Sequence, residues 1–180
     1  MIARIAKAFG VALGLVAACA PDPTHDNAVA ALGPEASGVA PGPLHRAGQP
    51  CLVCHGGDGP GKPQFAIAGT AYQALGDPTP LQGAVVQAID VNGVARSTTT
   101  NSAGNFYVES GSWPTYPLHG ISVSYAGTEA DMTATIGRDG SCATCHFEGK
   151  GDAGRGATTP GHVYLVEDPA SFPTDNGGGS

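Results

Sequence analysis

Leu81-Gln82-Gly83-Ala84-Val85-Val86-Gln87-Ala88-Ile89-Asp90-Val91-Asn92-Gly93 decides the fold. A β-branched run leads into Asn-Gly, the dipeptide best suited to a two-residue hairpin turn, because both central positions of that turn need positive φ. The chain returns through Ser97, Thr98, Thr99 and Thr100, residues that favour an extended backbone. Working outward, Ala66-Ile67-Ala68-Gly69-Thr70-Ala71-Tyr72 reads as an earlier strand. Asn101-Ser102-Ala103-Gly104-Asn105-Phe106-Tyr107-Val108 is a turn entering another, and Ile121-Ser122-Val123-Ser124-Tyr125 alternates apolar and polar side chains. Six strands are expected, near residues 65–72, 82–90, 93–100, 104–109, 118–126 and 129–136. The fold class is all-β, a small antiparallel β-sandwich over residues 66–136.

The sandwich has flanks of another character. Cys51-Leu52-Val53-Cys54-His55 precedes it and Cys142-Ala143-Thr144-Cys145-His146 follows it, two copies of Cys-x-x-Cys-His that use every cysteine but one. In this motif two thiols at fixed spacing add across the vinyl groups of a haem, and a neutral imidazole nitrogen binds the iron. Cys51, Cys54, Cys142 and Cys145 are thus expected as covalent attachments for two haems c, with His55 and His146 as proximal ligands. Repeated cysteine pairs are also compatible with one all-thiolate zinc site or with disulfides. Neither explains a histidine after both pairs. The second axial position of each iron has few candidates: His45, His119 and His162, with the strand residue Met132 as a weaker fourth. Two bis-histidine sites are expected. His25 lies in a Pro/Ala/Gly-rich segment and is set aside as a solvated bystander.

The N-terminus reads as an export signal. Arg4 and Lys7 precede an apolar run from Phe9 to Ala18, too short to span a bilayer. Val16-Ala17-Ala18-Cys19 resembles the lipobox of bacterial lipoproteins, which implies that Cys19 is the lipid anchor after removal of residues 1–18. Ala20 after the cysteine implies sorting to the outer membrane, on its periplasmic or external side. Residues 19–44 read as a flexible tether, 45–65 as the first haem-binding arm, 137–168 as the second and 169–180 as a disordered tail.

Charge narrows the partners. Of 8 basic and 15 acidic residues, only Arg4 and Lys7 lie in the signal, so six bases face fifteen acids and the mature chain carries about −9. Nucleic acid is excluded as a natural partner, and a protein redox partner would need a basic docking face. With 28 Gly and 15 Pro against 5 Phe and 1 Trp, strands and loops are favoured over helices.

The paired motifs make the chain similar to dihaem c-type cytochromes. Residues 66–136 resemble the carboxypeptidase regulatory-like domains, small immunoglobulin-like or transthyretin-like sandwiches. That likeness rests on the Gly83-Ala84-Val85-Val86 strand, the threonines and the Thr100-Asn101-Ser102-Ala103-Gly104-Asn105-Phe106 turn. It implies a scaffold without catalytic residues, supplying the core that two short arms cannot build alone. The expected function is outer-sphere single-electron transfer at the cell envelope. The alternatives are a peroxidase-like dihaem enzyme with one five-coordinate haem, or a surface binding module holding a structural metal. An even strand count between the motifs would return both arms to one pole and bring His119 with them.

Overall fold

The computed structural model describes residues 22–57, 59–111, 113–147 and 159–173. The fold is all-β, a small sandwich of two sheets with short helices. Seven strands occur among the described residues: β1 (Phe65–Ala74), β2 (Val85–Asp90), β3 (Ala95–Thr99), β4 (Asn105–Glu109), β5 (Leu118–Tyr125), β6 (Thr128–Met132) and β7 (Val163–Val166). One sheet has the order β4-β1-β7 and the other β3-β2-β5-β6. The six expected strands are present within a few residues. The seventh lies in the segment expected to be a loop-rich arm, where Val163-Tyr164-Leu165-Val166 pairs parallel to β1.

The hairpin turn forms at Asn92-Gly93, but only Gly93 of the pair takes positive φ, and Val91-Asn92-Gly93 make a three-residue loop closed by the Asp90 amide on the Val94 carbonyl at 3.1 Å, not the two-residue turn expected. Gly93 has φ 77°, and the Asp90 carboxylate accepts amide hydrogen bonds from Asn92 and Val94 at 2.9 Å and from Thr115 at 3.1 Å. Burial would raise the Asp90 carboxyl, but the amides of Val94, Thr115 and Asn92 outweigh it and hold it below the usual carboxylate range. Strand β2 then alternates: Val86, Ala88 and Asp90 are buried while Val85 and Gln87 are exposed.

Two apolar clusters fill the space between the sheets. Ala71, Leu81, Val86, Phe106, Val123 and Leu165 form one, and Ile67, Trp113, Leu118 and Ile121 belong to the other. Ile67, Leu81 and Leu118 are fully buried, and each contributes roughly 1.5–3 kcal/mol by leaving water.

Strand β1 departs from alternation, since Ala66 to Ala71 are all buried. Its second face is covered by the chain that leads into and through the first motif. The Gly48 amide donates to Thr70 Oγ1 at 2.8 Å, and Thr70 donates onward to Asn105 Oδ1 at 2.7 Å. Asn101 Nδ2 donates to the Pro43 carbonyl at 2.7 Å, and Asn105 Nδ2 donates to the His45 carbonyl at 2.9 Å. The turn before β4 therefore holds the first arm to the sandwich.

The second arm leaves from one edge of β1. Ala68 pairs with Tyr107 of β4 on one side, so its parallel bridge to Ser141 lies on the other, the side taken further along by β7. Ser141 and Val163 sit opposite Ala68 and Ala71 on a single edge line, and the second motif lies on the excursion between them. The segment read as a tether also has a defined path. Helix α1 (Pro23–Ala31) is capped by Asp22, whose side chain accepts from the Thr24 amide, and it packs against α2 (Leu52–His55) of the first motif. No helix among the described residues is long and apolar enough to cross a membrane.

Candidate functional site

The first motif is one helical turn. Cys51 occupies the N-cap of α2, and the His55 amide donates to the Cys51 carbonyl at 2.9 Å. That turn places both thiols and the imidazole around one wall of a cleft. His55 is buried, and its Nδ1 lies 2.8 Å from the Pro63 carbonyl. A carbonyl only accepts, so Nδ1 carries the hydrogen and Nε2 keeps its lone pair. The ring stacks on Phe65 at 4.3 Å, and Phe65 stacks on Tyr107 at 4.3 Å. Gly61 is required here, because a Cβ at that position would lie 2.8 Å from His55 Nδ1 and 3.0 Å from the Cys54 carbonyl.

Beside this turn opens a cleft of about 500 Å³, within the range of cofactor sites. Cys51, Cys54 and His55 line it together with His45, five prolines (Pro41, Pro43, Pro50, Pro60 and Pro63) and the rings of Phe65, Phe106 and Tyr107. Arg46 and Lys62 are its bases. Arg46 is already engaged, with Glu35 at 3.2 Å, Gln49 at 2.8 Å and the Gly33 carbonyl at 2.9 Å. Lys62 makes no hydrogen bond or ion pair among the described residues and suits an acidic substituent. A second hollow of about 450 Å³, lined by Gly83, Val85 and residues 124–129 of the other sheet, holds no motif residue.

The second motif repeats the local design. A 3₁₀ turn spans Cys142–Thr144, and the His146 amide donates to the Cys142 carbonyl at 2.8 Å. His146 Nδ1 lies 3.0 Å from the Gly161 carbonyl, which fixes the same tautomer as in His55. Asp139 steadies the entry, accepting from the Ser141 amide at 2.8 Å and from the Thr144 hydroxyl at 3.0 Å. Burial pushes the His146 imidazole below its ordinary value; the bond to Gly161 opposes this and nearby His162 adds to it. The Cys142 side chain packs where Gly69 leaves room, since a Cβ on Gly69 would stand 2.8 Å from Cys142 Cβ and 2.9 Å from Phe106 Cζ.

All four thiols are free. Burial raises Cys51 to about 11, and burial together with the nearby Cys51 and Asp139 charges raises Cys142 to about 12. Among the described residues no three His, Cys, Asp or Glu side chains gather closely enough to hold a metal ion.

The two arms meet. His162 packs edge-on against Tyr72 at 4.7 Å, and its ring lies 3.4 Å from where a Cβ on Gly48 would stand. Six strands separate the motifs, as expected, and both motifs lie against β1, the first beside Phe65 and the second beside Ala68 and Gly69. His119 does not join them: it is exposed at the start of β5, in register with Ile89, and its charge acts on Asp90 in the other sheet. Met132 is half-buried against the cluster containing Ile67 and Trp113. His25 is not a solvated side chain; its Nε2 is buried without a hydrogen-bond partner on the face of α1 that also carries half-buried Val29. Cys19 and the export signal lie outside the described residues.

Sequence reading missed the residues that support the motifs: Gly61, Pro63, Gly69, Asn101 and Asn105. The cluster Gly56-Gly57, Gly59 and Gly61 just after His55 was the available signal of close backbone approach. No protein-family model, curated protein or solved structure matches this chain.

Proposed function

We propose that the protein is an exported dihaem c-type cytochrome that passes single electrons between protein partners. The observation that carries this reading is the shared state of His55 and His146. Two motifs far apart in sequence, set in different surroundings, each donate Nδ1–H to a loop carbonyl at 2.8 and 3.0 Å and leave Nε2 as the available ligand. Each also closes one helical turn from the first cysteine to the histidine. The first site further supplies a largely apolar cleft of suitable size, with Cys51 and Cys54 in its wall.

When bound, haem would supply a one-electron couple, with a potential tuned by axial ligation and burial. The chain's own residues bind it through Cys51, Cys54, Cys142 and Cys145, orient the ligating imidazoles, and exclude water with the Phe65–Tyr107 stack. Proposed lipidation at Cys19 would leave only four peptide links before α1, at most about 14 Å of chain. The first arm would then sit close to the membrane surface, with an envelope redox protein as the partner.

Expression with haem-attachment machinery followed by intact mass tests the reading. A gain of two haems is expected, with sharp reduced c-type absorption bands. A protein that gains none while both motifs remain intact refutes it.

A further inference from the structure

The cleft of the first arm contains a second imidazole. We infer that His45 is the axial ligand opposite His55, making the first site bis-histidine; the inference rests on the haem reading above. His45 and His55 both line the cleft, and their ring centroids are 5.9 Å apart with planes inclined at 45°. Two imidazoles bound end-on to opposite sides of one metal, each at about 2 Å, place their centroids about 6 Å apart. Rotation about each metal–nitrogen axis leaves the inclination free.

The position of His45 is over-determined by its surroundings. Its carbonyl accepts from Asn105 Nδ2 at 2.9 Å, fastening the backbone to the sandwich. The next residue, Arg46, is a non-glycine held in the left-handed region at φ 52°, a conformation that persists only when neighbours enforce it. Glu35, Gln49 and the carbonyls of Leu32 and Gly33 do so. These contacts hold the backbone beside His45 in one conformation and so fix where its imidazole enters the cleft. The Gly42 amide donates to His45 Nδ1 at 3.4 Å, a long bond that is given up when Nδ1 takes the hydrogen and Nε2 keeps its lone pair for a metal.

The other histidines are placed differently. His162 packs on Tyr72 and beside Gly48 and does not line the cleft. His119 lies on the far sheet. His25 packs on α1 and does not line the cleft.

The test uses the full chain with both haems attached, comparing wild type with His45→Ala, His45→Met and His25→Ala. In His45→Ala, with two haems still counted by mass, one haem should change from low-spin to high-spin in electron paramagnetic resonance while the signal of the other stays as in wild type, and added imidazole should restore it. In His45→Met one potential should rise and the other stay. This variant also serves if His45→Ala does not accumulate. Unchanged spin state and potentials in the His45 variants, or a high-spin change caused by His25→Ala instead, overturn the assignment while the mass leaves the dihaem reading standing. Absence of haem from wild type fails that reading itself.

Discussion

His55 and His146 make the same hydrogen bond in unlike settings. The first is buried under an aromatic stack, beside a cleft roofed by residues 41–50, and its arm is tied to the sandwich at Pro43, His45 and Gly48. The second lies half-buried on an excursion from the edge of β1, with Cys145 exposed. A five-residue motif therefore fixes local ligand geometry, while the surrounding chain fixes solvent access. Two haems held this way would differ in potential even with identical attachment, because burial disfavours the more highly charged state.

The comparison breaks most completely if the shared scaffold fails. Ile67→Ala should destabilise the protein by roughly 2–5 kcal/mol, and both arms should be lost in one transition by denaturant melting. Separate transitions for the two arms would show that one folds independently. A matched pair of variants sharpens it. Gly61→Ala should disturb the His55–Pro63 bond and Gly69→Ala should displace Cys142 or Phe106, each costing about 1–3 kcal/mol. Imidazole NMR shifts should move for His55 alone in the first and leave His55 unmoved in the second. Asn105→Ala removes bonds to His45, Pro43 and Thr70 and should cost about 1–2 kcal/mol, read by increased amide exchange at residues 43–48 with residues 142–146 unaffected.

The smallest effect is on pH dependence in the haem-free protein. Folding lowers the affinity of His146 for a proton, so the unfolded chain protonates first as pH falls below 6.5, and stability declines with it. His146→Gln should flatten the slope of stability against pH between 7 and 5. An equal slope in both proteins would remove His146 as its source.

What could be read from sequence was local. The places of the six strands and of the hairpin turn at Asn92-Gly93 depend on neighbours within a few residues, and the structure shows each of them. The failures were long-range. Strand β7 is only Val-Tyr-Leu-Val and gains its identity from a parallel partner nearly a hundred residues earlier, which no local period reveals. His119 was misplaced because strand parity says nothing about which sheet a strand joins. Helix α1 was missed because its apolar face is minimal and it is stabilised by docking on the first motif.

The edge line of β1 has a further meaning. Ser141 and Val163 stand opposite residues only three apart, roughly 10 Å along a strand, yet residues 142–162 are spent between them. The two ends of this insertion are held by the sheet itself, with Leu165 just beyond it filling the core, so a shortened link between Ser141 and Val163 should leave the sandwich folded. The chain carries its second Cys-x-x-Cys-His motif on an excursion between two pairings to the same strand, outside the order of the sheets.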